Sequence, residues 1–262
     1  MADDVDEQLR LERDGRVATL TFNRPETRNA MTFPMYERLH DLCDEVDKDP
    51  DVRVLVLTGA GDKAFVSGTD IRQFLDFKTR EDALAYEARI GRVLRRIYDM
   101  TKPTIAAVQG DAVGGGLFMS LACDLRLAAG HARFGAPVAR TLGNAPAPFS
   151  VSLFAATVGP IRAREIMLTA RLVGAAEAKT LGLVDHVYPG AELATKAREL
   201  AGQLAELAPL TLAAVKEATR RMLAPVALRD AEDIVLSCYL SEDFKEGARA
   251  FLEKRKPNWQ GR

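Results

Sequence analysis

One stretch constrains the fold more than any other: Gln109-Gly110-Asp111-Ala112-Val113-Gly114-Gly115-Gly116-Leu117-Phe118-Met119. The apolar run Thr104 to Val108 leads into it and reads as a buried strand, and a helical run to Cys123 follows. Glycine lets a backbone approach a ligand closely and take φ values that other residues avoid. The first turn of a helix carries free N–H groups and the positive end of the helix dipole. Strand, glycine turn and helix start together make a site for an anion, or for an oxygen that becomes one. A tight turn with glycine for packing only is the competing reading, and the rest of the chain decides between them.

The chain has 262 residues, 47% of them hydrophobic, enough for one large domain or one domain with a small helical appendage. A net charge of −1 argues against a broad attraction to nucleic acid or a membrane surface. Cys43, Cys123 and Cys238 are far apart and lack metal-ligand spacing, as expected of a reduced cytoplasmic protein without disulfides. The acidic start, Met1 to Glu7, does not read as a secretory signal. No apolar run approaches the roughly 20 residues that span a bilayer.

Gln8 to Arg13, the Asp14-Gly15 turn pair and Val17 to Phe22 predict a hairpin. Thr32 reads as an N-cap with Pro34 in the first turn, and Met35, Leu39, Leu42, Cys43 and Val46 follow helical spacing. Val52 to Leu57 predicts a buried strand, Phe65 to Asp70 a second glycine-bearing loop, and the region up to Met100 is mostly helical. Asp124 to Ala129 predicts another strand. From Pro160 onward the pattern is almost wholly helical, with Gly182-Leu183-Val184-Asp185 closing one helix into a short strand. An α/β core over residues 1–200 and a helical segment over 201–262 follow from this layout. The spacing of Leu228, Ala231, Ile234, Val235 and Cys238 suggests that the second segment joins copies of the chain.

Several pieces, in order, resemble the enoyl-CoA hydratase/isomerase (crotonase) superfamily. They are Asn23-Arg24-Pro25 with Arg28-Asn29-Ala30-Met31, Val56 to Gly61, Phe65-Val66-Ser67-Gly68-Thr69-Asp70-Ile71, Gly110 to Gly116, Cys123-Asp124-Leu125, Ala176-Glu177-Ala178 with Gly182-Leu183-Val184, and Ser241 to Pro257. The resemblance implies an α/β, crotonase-like spiral of ββα units with a helical C-terminal segment, assembled as a trimer or hexamer. It implies an acyl-CoA substrate and no cofactor besides the coenzyme A that the substrate carries. It places two backbone N–H donors on the thioester oxygen, those of Thr69 and Gly115, and a CoA path along Arg28, Ala30, Ser67, Asp70, Ile71, Ala112, Gly114 and Pro137. The C-terminal segment lies near the CoA phosphates in this family, so Lys254 and Lys256 become candidate phosphate contacts. The residues agree with that picture, because two loops, each after a strand, present a glycine-flanked N–H. Partners other than acyl-CoA and further copies of the chain, such as nucleic acid or a membrane, are not expected.

The chain departs from the family where protons are moved. Family hydratases carry a glutamate two residues after the glycine triple, which is Phe118 here, and another after a Phe-Gly-x-Pro stretch, which is Val138 here. Some isomerases carry one after a Leu-Gly-x-x-Pro stretch, and Ala147 stands there. Adding water to an enoyl thioester needs a base and an acid, each worth roughly a hundred- to ten-thousandfold. Simple hydration is therefore not expected of this chain. Decarboxylation of a β-carboxyl thioester, which creates an enolate without a base, and a silent acyl-CoA-binding scaffold are the alternatives. Polar residues near the expected pocket are Ser67, Thr69 with its hydroxyl turned inward, Asp70, Arg140, Thr141 and Asn144; Arg140 and Asn144 are candidates for a polar acyl group. Asp70 and Asp124 read as structural hydrogen-bonders, and His40, His131 and His186 lie outside the site.

Overall fold

The apolar runs pair into two sheets in a computed structural model that describes residues 2–227, 236 and 239–260. The larger sheet has six strands: β1 (Leu9–Asp14), β2 (Val17–Phe22), β3 (Val54–Gly59), β5 (Thr104–Val108), β7 (Leu125–Ala129) and β10 (His186–Tyr188), in that spatial order. β1 and β2 form the hairpin, pairing Asp14 with Val17, and the remaining neighbours are parallel. The smaller sheet has four: β4 (Ala64–Val66), β6 (Asp111–Val113), β8 (Arg133–Gly135) and β9 (Val173–Gly174). The chain alternates between them. β3 leads to β4, β5 to β6 and β7 to β8, each pair followed by a helix, which is the expected spiral of ββα units.

Every residue of β5 is buried, as the unbroken apolar run requires of a central parallel strand covered on both faces. One face packs under the helices Phe33–Lys48 and Arg80–Tyr98 in the main core. The other packs under the helix Gly190–Ala205, through Leu193, Ala197, Ala201 and Ala205. That helix crosses residue 200 and lies on β3, β5 and β7. The late strand forms at His186–Tyr188, just after the residues expected, because Tyr188 reaches Ala129 of β7 in register. The C-terminal helix Glu242–Leu252 returns to the core through Phe244, which meets Phe74, Phe77 and Tyr239 edge to face or tilted. Leu228, Ala231, Ile234, Val235 and Cys238 lie outside the described residues. No helix among the described residues is long and apolar enough to cross a membrane.

Two helix starts follow the sequence closely. Thr32 caps Phe33–Lys48 by accepting from the Met35 N–H, and that helix buries Met35, Tyr36, Leu39, Leu42, Cys43 and Val46. Thr79 and Asp82 form a capping box at the start of Arg80–Tyr98.

Candidate active site

The first loop is held by the segment that precedes it in the chain. Arg24 donates to the Ala30 carbonyl at 2.6 Å and pairs with Asp70 at 3.4 Å. Asn29, left-handed at φ 56° and fully buried, accepts from the Arg24 N–H and donates to the Ala60 and Ala64 carbonyls. This scaffold presents Met31 as a single parallel bridge to Thr69. Met31 N–H donates to Gly68 O, and Asp70 N–H donates to Met31 O, both at 2.9 Å. Successive groups on an extended chain face opposite sides, so the Thr69 N–H between them makes no hydrogen bond among the described residues. Gly68 has φ 102°, a conformation that a side chain would strain, and this turns the loop toward the glycine triple.

The second donor is at a helix start. Gly115 opens the helix Gly115–Ala122, and its N–H takes no hydrogen bond among the described residues. Gly114 N–H is consumed by Gly135 O at 2.9 Å, which pins the turn to the neighbouring strand. The loops approach closely: a Cβ on Gly115 would lie 3.8 Å from the Gly68 Cα and 3.2 Å from the Tyr36 hydroxyl. Gly116 is needed for that approach, because a Cβ there would overlap the Val66 carbonyl oxygen and sit 2.9 Å from the Val66 Cβ.

Both loops open onto one cavity of about 140 Å³. Ser67, Gly68, Thr69 and Ile71 line it from the first loop, and Gly114, Gly115 and Phe118 from the second. Pro137, Val138 and Ala147 complete that wall, so Phe118, Val138 and Ala147, the positions where the resemblance led acids to be expected, line one cavity. They form an apolar surface. Asn144 and Thr141 also line the cavity, whereas Arg140 is exposed on the short helix Val138–Thr141. Ala112 is fully buried beneath the loop, and Arg28 is largely exposed beside Asp111, 3.9 Å away. The Asp70 carboxylate is engaged by Arg72 at 2.5 Å and by Arg24, and the Arg72 hydrogen bond foremost holds it below the usual carboxylate range. Asp124 accepts from the Thr104 N–H and hydroxyl and pairs with Lys216, a structural knot at the base of β5. Lys254 and Lys256 are exposed at the C-terminal end.

Two features were not foreseen. The Thr69 hydroxyl is not turned inward and free; it sits between the hydroxyls of Tyr36 and Tyr86, 2.8 Å from each. Burial raises the pKa of both phenols, so they stay protonated and fix the Thr69 backbone from behind.

The second is Glu87, on the helix Arg80–Tyr98 and on the cavity wall. Tyr239 Oη donates to its Oε1 at 2.6 Å, and Asn144 Nδ2 donates to Tyr239 Oη at 2.9 Å. Asn144 Oδ1 is buried and has no hydrogen-bond partner among the described residues. Glu87 retains some accessible surface although protein encloses it on nearly all sides, as expected at a cavity wall. Desolvation pushes its carboxyl up to about 7, against the opposing hydrogen bond from Tyr239. The sequence signal was there. Ala83, Glu87, Ile90 and Leu94 recur at helical spacing, which puts a carboxylate within an otherwise apolar stripe.

The enoyl-CoA hydratase/isomerase family model matches residues 12–262. The chain belongs to the enoyl-CoA hydratase/isomerase family. Among relatives of that family, the short-chain enoyl-CoA hydratase of Clostridium acetobutylicum is 35% identical over 249 residues, 94% of this chain and 95% of that protein. The crystal structure of an enoyl-CoA hydratase from Mycobacterium avium subsp. paratuberculosis superposes with a TM-score of 0.84 at 33% identity, covering 97% of this chain and 98% of that one. A methylmalonyl-CoA decarboxylase in complex with 2-nitronate-propionyl-CoA superposes with a TM-score of 0.88 at 28% identity, covering 97% and 99%. The crotonase-like fold expected from the sequence is thereby shown, and so is membership of an enzyme family that works on CoA thioesters.

Proposed function

We propose that this protein binds an acyl-CoA and stabilises its thioester enolate between the Thr69 and Gly115 N–H groups, and that simple hydration is not its main reaction. The observation that carries the reading is the pair of unengaged backbone donors on one cavity whose three family acid positions are Phe118, Val138 and Ala147. Donors preorganised in a dry site act on charge as it develops, and one of them is typically worth on the order of a hundred- to a thousandfold in rate. The CoA chain would pass Arg28, Ala30, Ser67, Ile71, Gly114 and Pro137, with Lys254 and Lys256 toward its phosphates. Decarboxylation of a β-carboxyl thioester is the second reading, favoured by the apolar acid positions and by the likeness to the methylmalonyl-CoA decarboxylase. A cytoplasmic location is part of the reading and accords with the buried, unpaired Cys43 and Cys123.

Calorimetry with acetoacetyl-CoA tests the proposal. Binding is expected, with acetoacetate itself bound far more weakly; no detectable heat at millimolar thioester removes the acyl-CoA reading. A panel of acyl-CoAs analysed by mass spectrometry separates decarboxylation, isomerisation and silent binding by their products.

The same reading includes assembly into a trimer or hexamer. Leu210, Val215 and Met222 are each more than half exposed on the helix Pro209–Ala227, which suits a surface that another copy covers. Light scattering should report a multiple of the 28.6 kDa chain, and a monomer at micromolar concentration would sink that part.

A further inference from the structure

We infer that Glu87 is the catalytic acid–base of this pocket, positioned by Tyr239 and Asn144, and that it exchanges a proton with the acyl carbon next to the thioester carbonyl. The inference rests on the acyl-CoA reading above and supplies the proton carrier that the Phe118, Val138 and Ala147 positions lack.

The geometry comes from a different wall. Glu87 and Tyr86 line the same cavity as Ser67, Gly68 and Thr69 of the loop that carries the first oxyanion donor, and the Tyr86 hydroxyl reaches the Thr69 hydroxyl at 2.8 Å. One carboxyl oxygen is fixed by Tyr239, and the other takes no hydrogen bond among the described residues. A carboxylate enclosed in protein without a cation is costly to keep ionised, and a structural one would be expected to have a guanidinium or ammonium beside it. No such partner of Glu87 occurs among the described residues, although Asp70, Asp111 and Asp124 all have one. Among the described residues, the titratable groups that bear on Glu87 are Tyr36 from the helix Phe33–Lys48, Tyr86 from its own helix and Tyr239 from the C-terminal segment. Burial raises all three phenols, so none of them ionises in the neutral range. Asn144, the remaining polar neighbour, does not titrate.

The step balances without a co-reactant. The Glu87 carboxylate takes the hydrogen as a proton; the C–H bond breaks and an O–H bond forms. The electron pair moves into the carbon–carbon bond, and negative charge arrives on the thioester oxygen between the Thr69 and Gly115 N–H groups. Return of the proton, or of a deuteron after exchange with solvent, reverses the step.

The test is deuterium uptake by butyryl-CoA in D2O, read by mass spectrometry across pH 5.5 to 8.5, with calorimetry of the same ligand. The wild-type rate should rise as Glu87 ionises around neutrality, since the carboxyl titrates at about 7. Glu87→Gln should lose at least about a hundredfold of the exchange, the usual worth of a placed base, while still binding the thioester. Glu87→Asp should recover part of it. Tyr239→Phe should move the midpoint upward, because its hydrogen bond favours the ionised form. Glu87→Gln should melt no lower than wild type at pH 8. The folded-state pKa of Glu87 is raised above its unfolded value, so its favourable contribution is full below about 4.5 and is lost as pH rises through about 7. Glutamine does not carry that cost. Bound butyryl-CoA without exchange, exchange independent of pH, or wild-type exchange by Glu87→Gln each overturns the inference and leaves the acyl-CoA reading standing. No binding of any thioester overturns both.

Discussion

Crotonyl-CoA should be hydrated at least about a thousandfold more slowly by this protein than by a family member with both glutamates, given that each placed acid or base is worth roughly a hundred- to ten-thousandfold and such losses do not simply multiply. The structure sharpens the expectation. Phe118 is buried at 5% exposure and Val138 lies across the same cavity, so the two positions present apolar surface where water would have to be held and activated. Glu87 reaches the cavity from the helix Arg80–Tyr98 and is one carboxyl rather than two. Phe118→Glu combined with Val138→Glu should raise the hydration rate measurably. Phe118 sits in the first turns of the helix Gly115–Ala122, where the helix dipole favours a carboxylate. Against this stands the cost of a charge at an apolar position, and two carboxyls that share a proton instead of both ionising. Loss of enoyl absorbance reads the reaction and circular dichroism reads the fold. Fast hydration by the unmodified protein would refute the reading of the apolar positions; a folded but inactive double variant would count against the rescue alone.

Gly116→Ala should slow enolate formation on a bound acyl-CoA and destabilise the fold together. The added methyl would overlap the Val66 carbonyl oxygen, and the Val66 carbonyl carbon would be 2.7 Å away. Both obstacles are backbone, so neither can swing aside as the end of a flexible side chain would. Relief requires the helix start to move away from β4, and that carries Gly115 away from Thr69. Overpacking of this kind costs roughly 1–3 kcal/mol and occasionally more. Displacing one oxyanion donor costs on the order of a hundred- to a thousandfold in any enolate-forming rate. A melt and deuterium exchange on butyryl-CoA measure the two effects; a variant that melts and exchanges like wild type would show that the loops do not depend on this approach.

Much of the fold was legible because it rests on local rules. The Asp14-Gly15 hairpin, the Thr32 cap and the fully buried β5 follow from turn chemistry, capping and hydrophobic period, and all three stand where expected. The late strand was placed less well, because a partner distant in sequence, β7, sets the limits of His186–Tyr188.

By itself, the sequence determined the glycine-bearing loops, the apolar replacements at Phe118, Val138 and Ala147, and the family. These are written in contiguous motifs with steric meaning: a glycine where a Cβ cannot fit, or a residue type that cannot hold a proton. Only the tertiary structure decided what surrounds them. Asp70, read from the sequence as a structural hydrogen-bonder, is held first by its neighbour Arg72 and also by Arg24, from a segment 46 residues earlier that no local pattern announces. The Thr69 hydroxyl is enclosed by two tyrosines from separate helices. Glu87, one of many charged residues on its helix, becomes a carboxyl near neutrality because burial in the folded protein desolvates it, and Tyr239, 152 residues away, holds it at the cavity while partly opposing that shift. The physical reason is the same in each case. Desolvation and hydrogen bonding are set by neighbours in space, and a linear pattern records a residue's type but not its dielectric surroundings.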